Sequence, residues 1–137
     1  MKLSQGSTYA IYGLQYLAQN LDRVVPVNEI ASAFKFPEKH MAKIFQQLVK
    51  SGLLRSERGI GGGFQLARDP EKINLIEIIE AVEGPVISKG CFLSQNECKK
   101  LQICKTAKIL YDAQAEMIKT FRKISLQTLL ESSADCP

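Results

Sequence analysis

The sequence predicts a mainly α fold with one small β-hairpin, and three features carry that reading. Apolar residues recur at three- and four-residue intervals over four short stretches and one long one. A glycine-rich interruption, Gly59-Ile60-Gly61-Gly62-Gly63, separates two short segments of strand character. The length of 137 residues, 45% of them hydrophobic and 23% charged, suits one globular domain with an appended element.

Tyr9, Ala10, Gly13, Leu14, Leu17 and Ala18 keep helical spacing and predict a first helix of about a dozen residues. Pro26 suits the start of a second, short helix through Val27, Ile30, Ala31 and Phe34. Lys35-Phe36 is a turn, and Pro37 opens a third helix whose stripe is Met41, Ile44, Phe45 and Leu48. Gly52 sits where that helix would close on a left-handed residue. Two helices joined by about three residues make a helix-turn-helix pattern. Leu53 to Arg58 and Phe64 to Ala67 read as the strands of a hairpin, which at this place in the chain is a wing. Asn74 with Glu77 marks a fourth helix carrying Leu75, Ile78, Ile79 and Val82, ended by Gly84-Pro85. After an aperiodic stretch, Ala107, Leu110, Ala113, Met117, Phe121 and Ile124 form a narrow seam on a long helix, more than one small domain needs. Leu110, Ala113, Met117 and Phe121 are therefore expected to pack against a second copy of the chain. The fold class is a winged helix-turn-helix with a long C-terminal dimerisation helix. The expected division is a winged unit at 1–84, a cysteine segment at 85–104, and the dimerisation helix with its tail at 105–137.

The net charge of +4 is small, but its distribution is uneven. Residues 1–70 hold nine Lys/Arg against five Asp/Glu, while 71–137 hold nine of each. All four cysteines lie in the second half. The basic half points to an anionic partner. No apolar run is long enough to span a membrane, and Met1–Tyr9 lacks a secretory core, so the expected compartment is the cytoplasm with no membrane partner. One His, no paired carboxylates in a plausible pocket and no cofactor fingerprint argue against an enzyme and its small-molecule substrate.

Opposite its apolar stripe the third helix exposes Lys39, His40, Lys43, Gln46, Gln47 and Lys50. An α-helix fits the major groove of duplex DNA, with the residues of its N-terminal part nearest the base edges. Glu38, Lys39, His40 and Lys43 are the expected base readers, with Lys50 on the same helix. Arg55 and Arg58 on the wing suit phosphate or a narrow, electronegative minor groove. The glycines of the loop, Gly61 and Gly62 among them, would let the hairpin tip approach a DNA backbone. No Lys-Ser/Thr and no helix follow them, so they are not a nucleotide phosphate loop. The Tyr9/Tyr12/Tyr16 stripe reads as core and subunit packing.

Cys91, Cys98 and Cys104 are spaced C-x6-C-x5-C. Structural zinc favours four ligands with a close knuckle, absent here, whereas three thiolates suit three corners of an iron–sulfur cluster. Three thiols without metal, or a disulfide switch, fit the same spacing. A zinc-stabilised adaptor that docks its basic half on an acidic protein is a further alternative.

Taken together, Met1-Lys2-Leu3-Ser4…Tyr9-Ala10, the wing Arg58-Gly59-Ile60-Gly61-Gly62-Gly63-Phe64-Gln65-Leu66 and the cysteine trio before a long helix resemble the Rrf2 superfamily, over essentially the whole chain. Within it the likeness is to iron–sulfur regulators of the IscR, NsrR and RirA type. The resemblance implies a homodimeric winged-helix transcription factor on double-stranded DNA, with Cys91, Cys98 and Cys104 binding a [2Fe-2S] or [4Fe-4S] cluster. The chain also departs from the family pattern. A His that completes the cluster in some members is Ala107 here, an Asp used by others corresponds to Thr8, and a base-reading Glu of one subgroup is Ala42. Candidates for a fourth ligand are Glu97, Cys136, Ser4, Ser7 or a non-protein group. Asp112 lies about 12 Å along a helix from Cys104, too far to share an iron.

Overall fold

The computed structural model describes residues 3–86 and 104–132. Ser4 begins the first helix, α1 (Gln5–Ala18), by accepting from the Ser7 amide at 3.1 Å. That cap adds four residues ahead of the predicted start at Tyr9, across a turn with no apolar period. α1 crosses α3 (Glu38–Lys50) at Gly13, where a Cβ would stand 2.5 Å from the Phe45 ring. Only glycine allows that approach, and Phe45, Leu14, Leu17 and Leu48 fill the space around it, all fully buried.

α2 (Val27–Phe34) starts after Pro26 and stops at Lys35, whose φ of +56° is left-handed. That conformation costs a non-glycine residue about 1–2 kcal/mol, offset by the Phe36 amide donating to the Ala31 carbonyl at 2.9 Å. The reversal delivers the chain to Pro37 and α3. Past Gly52, β1 (Leu54–Glu57) pairs antiparallel with β2 (Gly63–Leu66), matching Leu54 with Leu66 and Ser56 with Phe64. The hairpin is pinned to the body at Val25, which exchanges two backbone hydrogen bonds with Phe64 (3.0 and 2.8 Å). The Phe64 ring stands edge-on to Phe45 at 5.1 Å.

A capping box starts α4 (Leu75–Glu83), with Asn74 and Glu77 satisfying each other's amides as the sequence predicts. The long helix is α5 (Lys105–Lys123), followed by the short α6 (Leu126–Glu131). The chain then stitches onto the start of α4, the Leu75 amide donating to Ile124 (2.9 Å) and the Leu126 amide to Ile73 (2.8 Å). Leu126 is completely buried in the same core as Leu14 and Ile73, so the end of α5 is fixed to the winged unit. No helix among the described residues is long and apolar enough to cross a membrane.

Candidate nucleic-acid interface

α3 buries Met41, Ile44, Phe45 and Leu48. At 100° per residue, Lys39, Lys43, Gln46 and Lys50 fall on the opposite side, recurring at four, three and four residues. All four are exposed. Glu38 is exposed in the first turn, where its charge also favours the helix N-terminus, and Lys50 does the same at the other end. His40 lies to one flank of the stripe, exposed but with its ring edge-on to Tyr9 at 5.2 Å. Gln47, expected among the exposed residues, is half-buried, and its Oε1 is shut from solvent without a partner among the described residues.

Arg55 and Arg58 are exposed on and just beyond β1. Among the described residues the ion pairs lie elsewhere: Arg23–Glu29, Arg68–Glu77, Lys108–Asp112 and Lys119–Glu116. Lys39, Lys43, Lys50, Arg55 and Arg58 thus present cations with no carboxylate partner there. An open cleft of about 300 Å³ runs between the α2 N-terminus, α3 and the wing, lined by Asn28, Gln46, Ser56, Arg58 and Gly62. Asn28 escaped the sequence reading, its only signal being a position just inside a proline-capped helix.

The wing glycines meet a demand internal to the hairpin. A Cβ on Gly62 would sit 2.4 Å from the Glu57 carbonyl oxygen, and the Gly62 amide already donates to Gly59 at 3.0 Å. Gly61 is exposed in open space at the tip. The tyrosine stripe divides three ways. Tyr9 is buried, Tyr12 is 45% exposed among the rings of Phe34 and Phe36, and the Tyr16 hydroxyl donates to Glu29 at 2.8 Å.

Of the cysteine trio, Cys91 and Cys98 lie outside the described residues, as do Glu97 and Cys136. Cys104 is the N-cap of α5, half-buried, and its side chain makes no capping hydrogen bond. The two ends of the cysteine segment are anchored. The Val86 amide donates to Glu80 (3.2 Å), and Gln114 of α5 donates to the Val86 carbonyl (3.0 Å). One turn earlier, Glu83 accepts from the fully buried Ser7 hydroxyl (2.5 Å) and from the Ser4 amide (2.9 Å). Burial pushes the Glu83 carboxyl up, but those donors outweigh it and hold it below its ordinary value. The side chains of Ser4 and Ser7 are therefore committed within the fold, and Asp112 is paired with Lys108 at 2.8 Å. Among the described residues no three His, Cys, Asp or Glu converge on a metal-sized site.

On α5 only Ala107 and Ile118 are buried, so Ala107 faces the chain's own body. Leu110, Met117 and Phe121 are half-exposed along one flank and Ala113 is exposed beside them.

Residues 3–132 match the Rrf2 family model, described as an iron-dependent transcriptional regulator. A protein of Aquifex aeolicus named as a helix-turn-helix transcriptional regulator is 39% identical over 100 residues, 73% of this chain and 69% of its own. The regulator NsrR of Halalkalibacterium halodurans is 28% identical over 132 residues, 95% of this chain and 90% of that one. Among solved structures, CymR, the global cysteine regulator of B. subtilis, superposes with a TM-score of 0.79 at 20% identity. That match covers 97% of this chain and 98% of CymR, and shows a shared fold.

Proposed function

The chain belongs to the Rrf2 family of transcriptional regulators, and from that premise we propose that it grips operator DNA as a homodimer under the control of an iron–sulfur cluster on Cys91, Cys98 and Cys104. The observation that carries the DNA reading is the stripe Lys39, Lys43, Gln46 and Lys50, without carboxylate partners among the described residues, beside a wing bearing Arg55 and Arg58. Glu38, Lys39, His40 and Lys43 occupy the first turns of α3, the part of a recognition helix that reaches base edges. Lys50, Arg55 and Arg58 would hold phosphates or the minor groove. Gly61 leaves the tip without side-chain bulk, and Gly62 keeps the turn tight. A two-fold dimer built on Leu110, Ala113, Met117 and Phe121 would present two reading heads, for half-sites about 34 Å apart.

The donor set supports the cofactor. Three thiols in one short segment suit the thiolate preference of iron–sulfur irons, and Cys104, half-buried at the N-cap of the nineteen-residue α5, makes no capping hydrogen bond with its thiol. Such a cluster, when bound, supplies iron that responds to oxidants, nitric oxide, chelators or iron supply, more readily where a fourth protein thiolate is lacking. The chain's own residues relay the consequence. Cys104 ties the segment to α5, Val86 ties its other end to α4 and α5, and Glu83 ties α4 to the head of α1. A change in how the trio is held therefore acts on the junction between the dimer helix and the winged unit.

Iron and acid-labile sulfide in anaerobically purified protein test the cofactor directly. The reading expects both, with a visible chromophore, and expects Cys91→Ala to lose all three. Protein that holds neither, or that holds stoichiometric zinc, contradicts it.

A further inference from the structure

Ile60 is the most exposed large apolar side chain among the described residues, at 110% relative exposure against 68% for Ile109. It stands at the apex of the hairpin between Gly59 (φ +94°) and Gly61 (φ +78°). The Gly62 amide closes the apex on the Gly59 carbonyl, and the Val25–Phe64 pairing and the Phe45–Phe64 ring contact pin the hairpin below. The fold therefore holds one β-branched hydrocarbon out in water on a braced support. Turn closure does not require it, because Asn, Asp and Ser serve such positions and are at home in water. Arg58 is two residues away along the chain, Arg55 lies on β1 past the exposed Glu57, and both arginines lack a carboxylate partner among the described residues.

Resting on the reading that α3 and the wing bind duplex DNA, we propose that Ile60 is a specificity-determining contact that enters the minor groove and selects A·T pairs there. On the minor-groove side A·T shows only the N3 and O2 acceptors, whereas G·C adds the guanine N2 amine. That amine projects into the space a hydrocarbon would fill. Packed against Ile60 it would also lose its water and gain no acceptor, which is unfavourable. An A·T floor lets the side chain lie against sugar and base carbon atoms, and the narrow groove of A·T tracts attracts the neighbouring Arg58. The two exposed arginines on the same wing, Arg55 and Arg58, favour nucleic acid over an apolar protein partner.

The test uses the full chain and a duplex selected by wild-type protein from a randomised library. Pairs flanking each half-site are then replaced by G·C or by inosine·C, which keeps the major-groove face of G·C but lacks the N2 amine. Wild type is expected to lose affinity at least about fivefold per G·C pair and to recover it with inosine·C. Ile60→Ser should bind all three duplexes alike and melt at the wild-type temperature, because the side chain is fully exposed among the described residues. Equal discrimination by Ile60→Ser, or inosine·C behaving as G·C, overturns the inference while leaving DNA binding intact. A sedimentation change in Ile60→Ser with unaltered DNA preference also overturns it, by making the tip a protein contact. The underlying reading has its own control, Lys50→Ala, which should weaken binding to all sequences and lower the salt slope by about one. If wild type binds no duplex better than Lys50→Ala does, that reading fails and the inference goes with it.

Discussion

Glu29 ties α1 to α2 through one carboxylate. It accepts from the Tyr16 hydroxyl at 2.8 Å and pairs with the Arg23 guanidinium, which also donates to Asn20 at 3.2 Å. The Arg23 hydrogen bonds first, then that of Tyr16, lower the Glu29 carboxyl from 4.5 to about 2, and the bond to Glu29 raises the Tyr16 hydroxyl. A carboxyl depressed by folding contributes stability that is complete above its unfolded value and is gone once pH has fallen through the folded one. The Tm difference between wild type and Glu29→Gln should therefore be constant above about pH 5, narrow below 4.5 and close near 2. Thermal unfolding across that range checks it, and a difference that persists unchanged to pH 2 contradicts the account. Legibility at this scale followed periodicity. Lys39, Lys43 and Lys50 could be placed on the outer face because Met41, Ile44, Phe45 and Leu48 mark the inner one. Gln47 sits near the boundary of that stripe, and its half-burial depends on neighbours no period records. Ser7 was less legible still, since its partner Glu83 is 76 residues away.

α5 is nineteen residues, about 28 Å long, and its own chain buries only Ala107 and Ile118. Leu110, Met117 and Phe121 keep a flank of apolar surface partly in water, as a helix with a missing partner does. A second copy of α5 supplies that partner in the proposed dimer. Met117→Asp should shift the protein from dimer to monomer in sedimentation and weaken operator binding at least about tenfold, through loss of bivalent attachment. A Met117→Asp protein that stays dimeric places the seam elsewhere. The element-scale reading succeeded where local chemistry decides structure, as at Asn74 with Glu77, at Gly84, and at Pro26 and Pro37. It fell short where distant contacts decide. The first turn of α1 is held by the Ser4 cap and by packing of Gly6 against Val82 and Ile44. The inward face of α5 is set by Ile118, which the seam through Ala107 and Leu110 passes over. The glycine loop was legible as a hairpin tip, but the reason for Gly62 was not. The Glu57 carbonyl that excludes a Cβ there comes into place only once the turn has formed.

Across the whole molecule the small net charge is unevenly divided, and the proposed function assigns one part to reading DNA and the other to control. Residues 1–70 carry the excess of basic residues, and Lys39, Lys43, Lys50, Arg55 and Arg58, without carboxylate partners among the described residues, lie on the outer side of α3 and on the wing. The neutral half carries the cysteines, the apolar flank of α5 and the polar ties through Val86, Glu80 and Gln114. The two halves meet where Glu83 receives Ser4 and Ser7, so the state of the cysteine segment has a short covalent and hydrogen-bonded path to the head of α1. Control by that path requires the two cluster states to differ in DNA affinity, since a ligand shifts an equilibrium only by its differential binding. The most direct measurement is the dissociation constant for a library-selected duplex, taken with anaerobically purified protein and again after a chelator has removed its iron. A change of about fivefold or more is expected, absent from Cys104→Ser. Equal affinities in the two states of the wild-type protein would contradict it.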